Sequence, residues 1–163
     1  MDVSVRVAGD GDDDVDALTR LRRLWTEENA GAAIVDPSFD DTLRGWLQTE
    51  RSTRTFFLVE LDGVAVGMAN VKRYDRMPVP GRSAGCWGYV GNVFVLPSHR
   101  DAGLGAVLMR ALEEWAWSVG MEHLRLAPSP RSGPFYERLG YTAGAVVELD
   151  PPRSVANPRI ASS

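Results

Sequence analysis

Cysteine occurs once in these 163 residues, as Cys86, and lysine once, as Lys72. A lone cysteine excludes an internal disulfide framework and leads one to expect a reducing, cytoplasmic setting. With one lysine, the positive charge is nearly all arginine, so cationic sites will be planar forks rather than point charges. Long apolar runs are missing too. No segment approaches the roughly 18 consecutive apolar residues of a spanning helix, so no membrane partner is expected. The opening MDVSVRVAGDGDDD has neither the basic start nor the apolar core of a signal peptide. Basic charge is not in excess: 18 Lys and Arg stand against 22 Asp and Glu, a net charge of −4 with pI near 5.2. That balance argues against a nucleic-acid partner, since phosphate binding wants a concentrated basic surface. His99 and His123 do not stand with Cys86 at zinc-site spacing, and no metal is expected. There is no G-x-S-x-G elbow, and Cys86 in AGCWGYV reads as a small apolar core residue.

What is present is an ordinary globular composition, 44% hydrophobic and 25% charged. The length suits one domain, taken as residues 1–150, with 151–163 as an irregular tail. Val3, Val5 and Val7 alternate with polar residues as in a half-buried strand. DGDDDVDALTRLRRLWTEEN then spaces Val15, Leu18, Leu21 and Leu24 or Trp25 as one helix face ending near residues 29–31, with Asp12 to Asp14 serving its N-terminal dipole. DDTLRGWLQTE is a short second helix carrying Leu43, Trp46 and Leu47 on one face. Two strands follow, 53–61 and 64–73, joined by a tight turn at Asp62 and Gly63. A Pro- and Gly-rich loop leads to a fourth strand, 86–96. Residues 103–119 form a helix with Leu104, Leu108, Leu112, Trp115 and Val119 inward. A short strand at 123–127, a short helix at 132–139 and further strand from Tyr141 to Asp150 complete the order β-α-α-β-β-β-α-β-α-β. This is an α/β layer with an antiparallel meander at its centre.

The chemistry concentrates at the turn in VLPSHRDAGLGA. Pro97 ends the strand because it brings no backbone donor. Gly103 and Gly105 let a ligand approach the main chain, and the first N–H groups of the next helix point into that gap. Such amides suit a phosphate or pyrophosphate, with Arg100 able to add fixed charge. A Walker loop would need Lys then Ser or Thr where Ala106 and Val107 stand, and the G-x-G-x-x-G order of a dinucleotide fold is also missing.

VLPSHRDAGLGA is similar to the acyl-CoA-binding motif R/Q-x-x-G-x-G/A of the GNAT superfamily of N-acetyltransferases, matching Arg100, Gly103 and Gly105 in register after Val95 and Pro97. SGPFYERLGY resembles the family's second hallmark, F-Y-E-x-L-G-F/Y, and the two motifs stand in the family's order. The resemblance implies a GNAT-like, mixed and mostly antiparallel sheet with helices on both faces and a splayed slot between the fourth and fifth strands. It implies acetyl-CoA as co-substrate, with the pyrophosphate on the loop of Arg100, Asp101, Ala102, Gly103, Leu104, Gly105 and Ala106. Val93, Phe94 and Val95 would bond the pantetheine arm like an added strand. The amide of Phe94 or Val95 would face the tetrahedral oxyanion. Tyr136 matches the tyrosine that acts as general acid to the departing thiolate: its phenol, with a reference pKa of about 10 against about 8.5 for a thiol, holds its proton at neutral pH and can donate a hydrogen bond as the thiolate develops. Trp87 and Tyr89, on one face of the fourth strand, read as core residues or as walls of the acceptor pocket.

The chain departs from the family pattern in two places. Where members often carry an Asn that bonds the pantetheine, Ser129 stands here, and Ser129 or Ser132 would make a shorter contact. Where many carry an acid early in the fourth strand as general base, this chain has Gly91 and Asn92. The base is therefore unassigned, with Glu27 and Glu28 at the end of the first helix as candidates and water as the alternative. The expected activity is transfer of acetyl from acetyl-CoA to a primary amine in a ternary complex, with a non-catalytic acyl-CoA-binding module or a longer-chain transferase as rivals. The acceptor, a small molecule or peptide amine, is not named by the sequence; net acidity is compatible with a cationic one. The family analogy also allows a homodimer.

Overall fold

In the computed structural model, which describes residues 1–150, five strands and four helices follow the expected order except at its end. The chain divides into two compact units, Met1–Ala127 and the part from Pro128 onward.

The first unit holds the sheet. Its strands β1 (Val3–Val7), β2 (Arg54–Leu61), β3 (Val64–Asp75), β4 (Cys86–Val95) and β5 (Met121–Arg125) lie side by side in chain order. The first three pairings are antiparallel; β4 and β5 run parallel. The turn joining β2 to β3 places Asp62 at φ 50° and Gly63 at φ 79°. Two left-handed residues in succession are what a two-residue hairpin needs to match strand twist.

Helices cover both faces. On one face α1 (Asp12–Ala30) and α2 (Phe39–Glu50) bury Val15, Leu18, Leu21 and Leu47 against Phe56, Leu58, Met68 and Phe94. Of the two alternatives at the end of the α1 stripe, Trp25 packs against this core and Leu24 is exposed. On the other face α3 (Leu104–Ser118) buries Leu108, Met109, Leu112 and Ala116, and its Trp115 meets the edge of Phe57 at 5.5 Å. Val119, expected inward, lies past the helix end and is exposed, because the buried stripe runs instead through Met109 and Ala116. The acids of the first turn of α1 divide their work. Asp14 accepts two bonds from the Arg6 guanidinium and one from the Gly9 N–H, which holds its carboxyl below the usual range and ties β1 to the helix.

Three expectations change. The edge strand β1 is less covered than its alternation predicts, Val3 and Val7 being exposed. The fifth strand starts two residues early, at Met121, because Gly120 at φ 83° ends the helical stretch and lets the chain turn at once into the sheet. The final strand at Tyr141–Asp150 does not form, and Val147 and Leu149 are each 98% exposed. Alternation makes a strand only where a neighbour takes up the backbone groups, and among the described residues no strand pairs with this stretch. The tail at 151–163 lies outside the described residues.

The second unit contributes α4 (Gly133–Arg138). Tyr136 is buried within it, edge-on to Phe135 at 5.0 Å and Tyr141 at 5.6 Å. Ser129 and Ser132 lie in the turn before it and bond each other at 2.9 Å.

Leu108 is fully buried on α3 and Val107 beside it is largely exposed. Leu108→Ala is expected to lower the free energy of unfolding by about 2–5 kcal/mol, and Val107→Ala to stay within about 0.5 kcal/mol. Chemical denaturation of the two variants checks this.

Candidate functional site

The site begins with an irregularity in β4. Met68 pairs with Phe94 and Asn70 with Gly91, so Ala69 alone on β3 faces two residues, Asn92 and Val93. This is a bulge, with Asn92 at φ 54°. Asn is among the few side chains that accept the left-handed region. A line of polar contacts holds it in place. The Asn70 amide, only 3% exposed, donates from Nδ2 to Asn92 Oδ1 at 2.8 Å and accepts from Arg54 at 2.7 Å. Arg54 and Lys72 both bond Glu50 Oε2, at 2.8 and 2.9 Å, and together hold that carboxyl below its ordinary range.

The bulge has a consequence for pairing. β4 is matched to β5 only at Cys86, Gly88 and Tyr89, so the segment holding Val93, Phe94 and Val95 runs on with no partner from β5. Its other edge is bonded to β3 through Phe94 and Val95. The free edge therefore presents main-chain donors and acceptors that an extended ligand can pair with.

β4 ends in a short 3-10 turn, Pro97–His99, and the chain enters α3 through Asp101 at φ 61° and Gly103 at φ 77°. Gly103 caps the helix without a side-chain bond, and the first helical bond runs from Val107 N–H to Gly103 O. The N–H groups of Leu104, Gly105 and Ala106 thus precede the helical ladder. Unpaired N–H groups at the start of a helix are the kind of donors that anions accept from. Ala102 is an exposed residue of this loop. Arg100 does not point its charge freely at these donors. Its two terminal nitrogens bond both oxygens of Glu28 at 2.7 and 2.8 Å, its Nε bonds Val95 O at 3.0 Å, and it lies over the Phe94 ring at 5.6 Å.

On the α1 and α2 side of the bulge lies a cavity of about 200 Å³. Leu18, Leu43, Leu47, Phe56 and Met68 give it apolar walls; Arg22, Trp46, Asn70 and Asn92 give it polar atoms. No carboxylate lines it. Glu27 and Glu28, the candidate bases, are both outside this lining. Glu27 Oε1 accepts from the Ile34 N–H at 3.1 Å, and the Arg100 guanidinium holds the Glu28 carboxyl low, which makes it a weaker base. Trp87 and Tyr89 are also outside the lining: Trp87 is stacked between Tyr74 at 4.7 Å and His123 at 5.6 Å. In the second unit, burial raises the Tyr136 phenol above its ordinary value, so it stays protonated at neutral pH.

Arg22 and Asn70 escaped the sequence reading, yet each left a trace. Arg22 stands between Leu18 and Trp25 at helical spacing, a cation on an otherwise apolar stripe. Asn70 is a polar residue inside the apolar run VAVGMANV. A polar group in a core segment asks for a partner, and here the partner is the bulge.

A five-stranded, mostly antiparallel sheet with a β4 bulge, followed by a glycine turn into a helix, is the fold of an acyltransferase class. The description Acetyltransferase (GNAT) family matches residues 18–141, and the chain belongs to that family. It is 31% identical over 140 residues to a Bacillus subtilis (strain 168) protein provisionally named an acetyltransferase, covering 84% of this chain and 83% of that one. Over 81 residues it is 38% identical to glucosamine 6-phosphate N-acetyltransferase from Trypanosoma brucei brucei; the match takes 50% of this chain and spans about half, 53%, of that relative. A Clostridium acetobutylicum protein assigned as an acetyltransferase, solved with acetyl-CoA, shares the fold with TM-score 0.71 at 18% identity, over 91% of this chain and 96% of that one. Among the described residues, no helix is long and apolar enough to cross a membrane, and no group of three metal-ligating side chains is found.

Asn92→Val, which forces a β-branched residue into the left-handed region, is expected to cost about 1–2 kcal/mol more than Asn92→Gly, since both lose the bond from Asn70 and only Val adds strain. Denaturant unfolding of the pair measures it. Because Arg100 lowers the Glu28 pKa, the pair stabilises the fold above the usual carboxyl pKa of about 4.3, and that contribution is lost as pH falls through the folded value. Both side chains are about a third or more exposed, which screens the effect to under about 1 kcal/mol. Glu28→Gln should therefore be less stable than the parent at pH 7 and equal to it at low pH, as read from unfolding curves at several pH values.

Proposed function

We propose that this chain is an N-acetyltransferase, moving acetyl from acetyl-CoA to a primary amine by direct attack in a ternary complex. The observation that carries the reading is the free edge of β4 running straight into the amides of Leu104, Gly105 and Ala106. One edge and one turn supply backbone groups for an extended amide arm and, next to it, for its pyrophosphate.

The residues divide the work as follows. The loop from Arg100 to Ala106 holds the pyrophosphate through main-chain N–H groups, while Arg100 fastens the loop to α1 and to the end of β4. Val93, Phe94 and Val95 align the pantetheine arm, and Ser129 or Ser132 adds a polar contact in place of the family's Asn. The amide of Phe94 or Val95 stabilises the oxyanion as it develops. Tyr136, kept protonated by burial, donates a hydrogen bond to the thiolate sulfur as the C–S bond breaks. The amine attacks in its neutral form. With no carboxylate in the cavity lining, its proton leaves through water, and the protein's contribution at this step is orientation. The transferase domain comprises residues 1–150, and the acceptor is a small molecule held in the cavity beside Asn92.

The missing acid favours one rival, an acyl-CoA-binding module without turnover. Calorimetry with acetyl-CoA, followed by thiol release across a panel of amines, separates the two. Binding with release supports the transferase, binding without release the module, and no binding ends both. Tyr136→Phe is expected to lower kcat by about 100-fold while the affinity for acetyl-CoA stays within about threefold.

A further inference from the structure

Arg22 is the one charged residue in the cavity lining. It lies over the Trp25 ring at 5.0 Å, and no carboxylate is within salt-bridge distance of it among the described residues. Most of the other arginines of α1 and its surroundings are engaged: Arg6 with Asp14, Arg23 with Asp40, Arg44 with Asp12, Arg100 with Glu28. Behind the Asn70 wall, Arg54 and Lys72 share the single carboxylate of Glu50, so the polar network there also carries surplus positive charge. A half-buried arginine without a counter-ion is a fork available for a planar anion.

From this we infer that the acceptor is a small amine that also carries an anionic group, a carboxylate or a phosphate, with the anion on Arg22 and the amine directed to the bulge at Asn92. The inference rests on the transferase reading and names the substrate class of the same cavity. Size agrees with it. A volume of about 200 Å³ corresponds to about seven waters at roughly 30 Å³ each, room for an amino acid or a monosaccharide. The apolar wall of Leu18, Phe56 and Trp46 accepts the body of such a molecule, and Asn92, held by Asn70, offers an amide group at its reacting end. A polycationic acceptor finds no carboxylate in the lining and meets Arg22 as a like charge.

The test uses matched pairs: an amino acid and its amide, glucosamine 6-phosphate and glucosamine, with spermidine as the polycation. Thiol release is followed for the parent protein, Arg22→Ala and Arg22→Lys. A charge-assisted bond predicts kcat/KM higher for one anionic member than for its neutral counterpart by on the order of 10- to 100-fold, and which pair shows it tells carboxylate from phosphate. Arg22→Ala should reduce that ratio to within about threefold, chiefly through KM, and Arg22→Lys should restore part of it. Thermal unfolding confirms that each variant is folded; if Arg22→Ala is not, Arg22→Gln takes its place. Equal or faster turnover of the neutral amines or spermidine, a ratio that survives Arg22→Ala, or turnover of no anionic amine overturns the inference. Acetyl-CoA affinity is measured on the same preparations. Its loss in the parent protein, or no thiol release with any amine, would sink the transferase reading and this inference together, while intact affinity with turnover of the neutral amines or spermidine, or with a ratio that survives Arg22→Ala, removes this inference alone.

Discussion

The site depends on one amide, that of Asn70. Buried in the middle of β3, it must have partners for both its ends, and leaving either unsatisfied would cost about 1–3 kcal/mol. Arg54 supplies one partner and Asn92 the other. Asn92 can reach it only from the bulge, where the backbone is left-handed. The cost of that backbone conformation and the need of the buried amide offset each other. β5 is matched to β4 only as far as Tyr89, so the bulge and the segment after it lie beyond that pairing. The same contact places Asn70 and Asn92 side by side in the lining of the cavity.

A second constraint fixes the end of β4 from the helix side. Trp25 stacks on Phe94 at 5.5 Å, Arg22 lies over Trp25, and Arg100 lies over Phe94 while reaching Val95 O and Glu28. α1 therefore holds both the last strand residues and the loop that follows. Arg100 is engaged in this clamp, so in the proposed function anion binding at the turn falls to the amides. An arginine in the R-x-x-G-x-G position acts here as a fastener of the loop more than as a direct phosphate ligand.

The elements were largely legible because their signals are local. Helix spacing at Val15, Leu18 and Leu21, the Asp62–Gly63 turn, and the glycines before α3 each report a backbone preference of the residues concerned. The errors arose where the outcome depends on a distant neighbour. Val146 and Val147 alternate as a strand would, but a strand needs a ladder partner that the local pattern cannot supply. Trp87 and Tyr89 share a strand face, yet the place of Trp87 was decided by rings at Tyr74 and His123, far away in sequence. The surroundings of Glu27 and Glu28, the candidate bases, are set in the same way by distant partners. Their bonds to the Ile34 amide and to Arg100 are tertiary facts, and the bulge at Asn92, read in the sequence only as a missing acid, is explained by a residue 22 positions earlier.

Charge shows the same limit most clearly. A net charge of −4 suggested room for a cationic acceptor, but net charge sums over a surface whose contributions are screened within about 8–10 Å at physiological ionic strength. Around the cavity the relevant charges are those within a few ångströms, and there the balance is reversed: among the described residues no carboxylate pairs with Arg22, and behind the lining Glu50 is shared between two cations. The acidic side chains that set the total are spent elsewhere, as Asp14 is on Arg6 and Glu28 on Arg100. A small ligand entering the cavity meets the local field, which favours an anion, although the whole molecule repels one weakly at long range. On the proposed reading, selectivity at this site is governed by which carboxylates the fold has already neutralised.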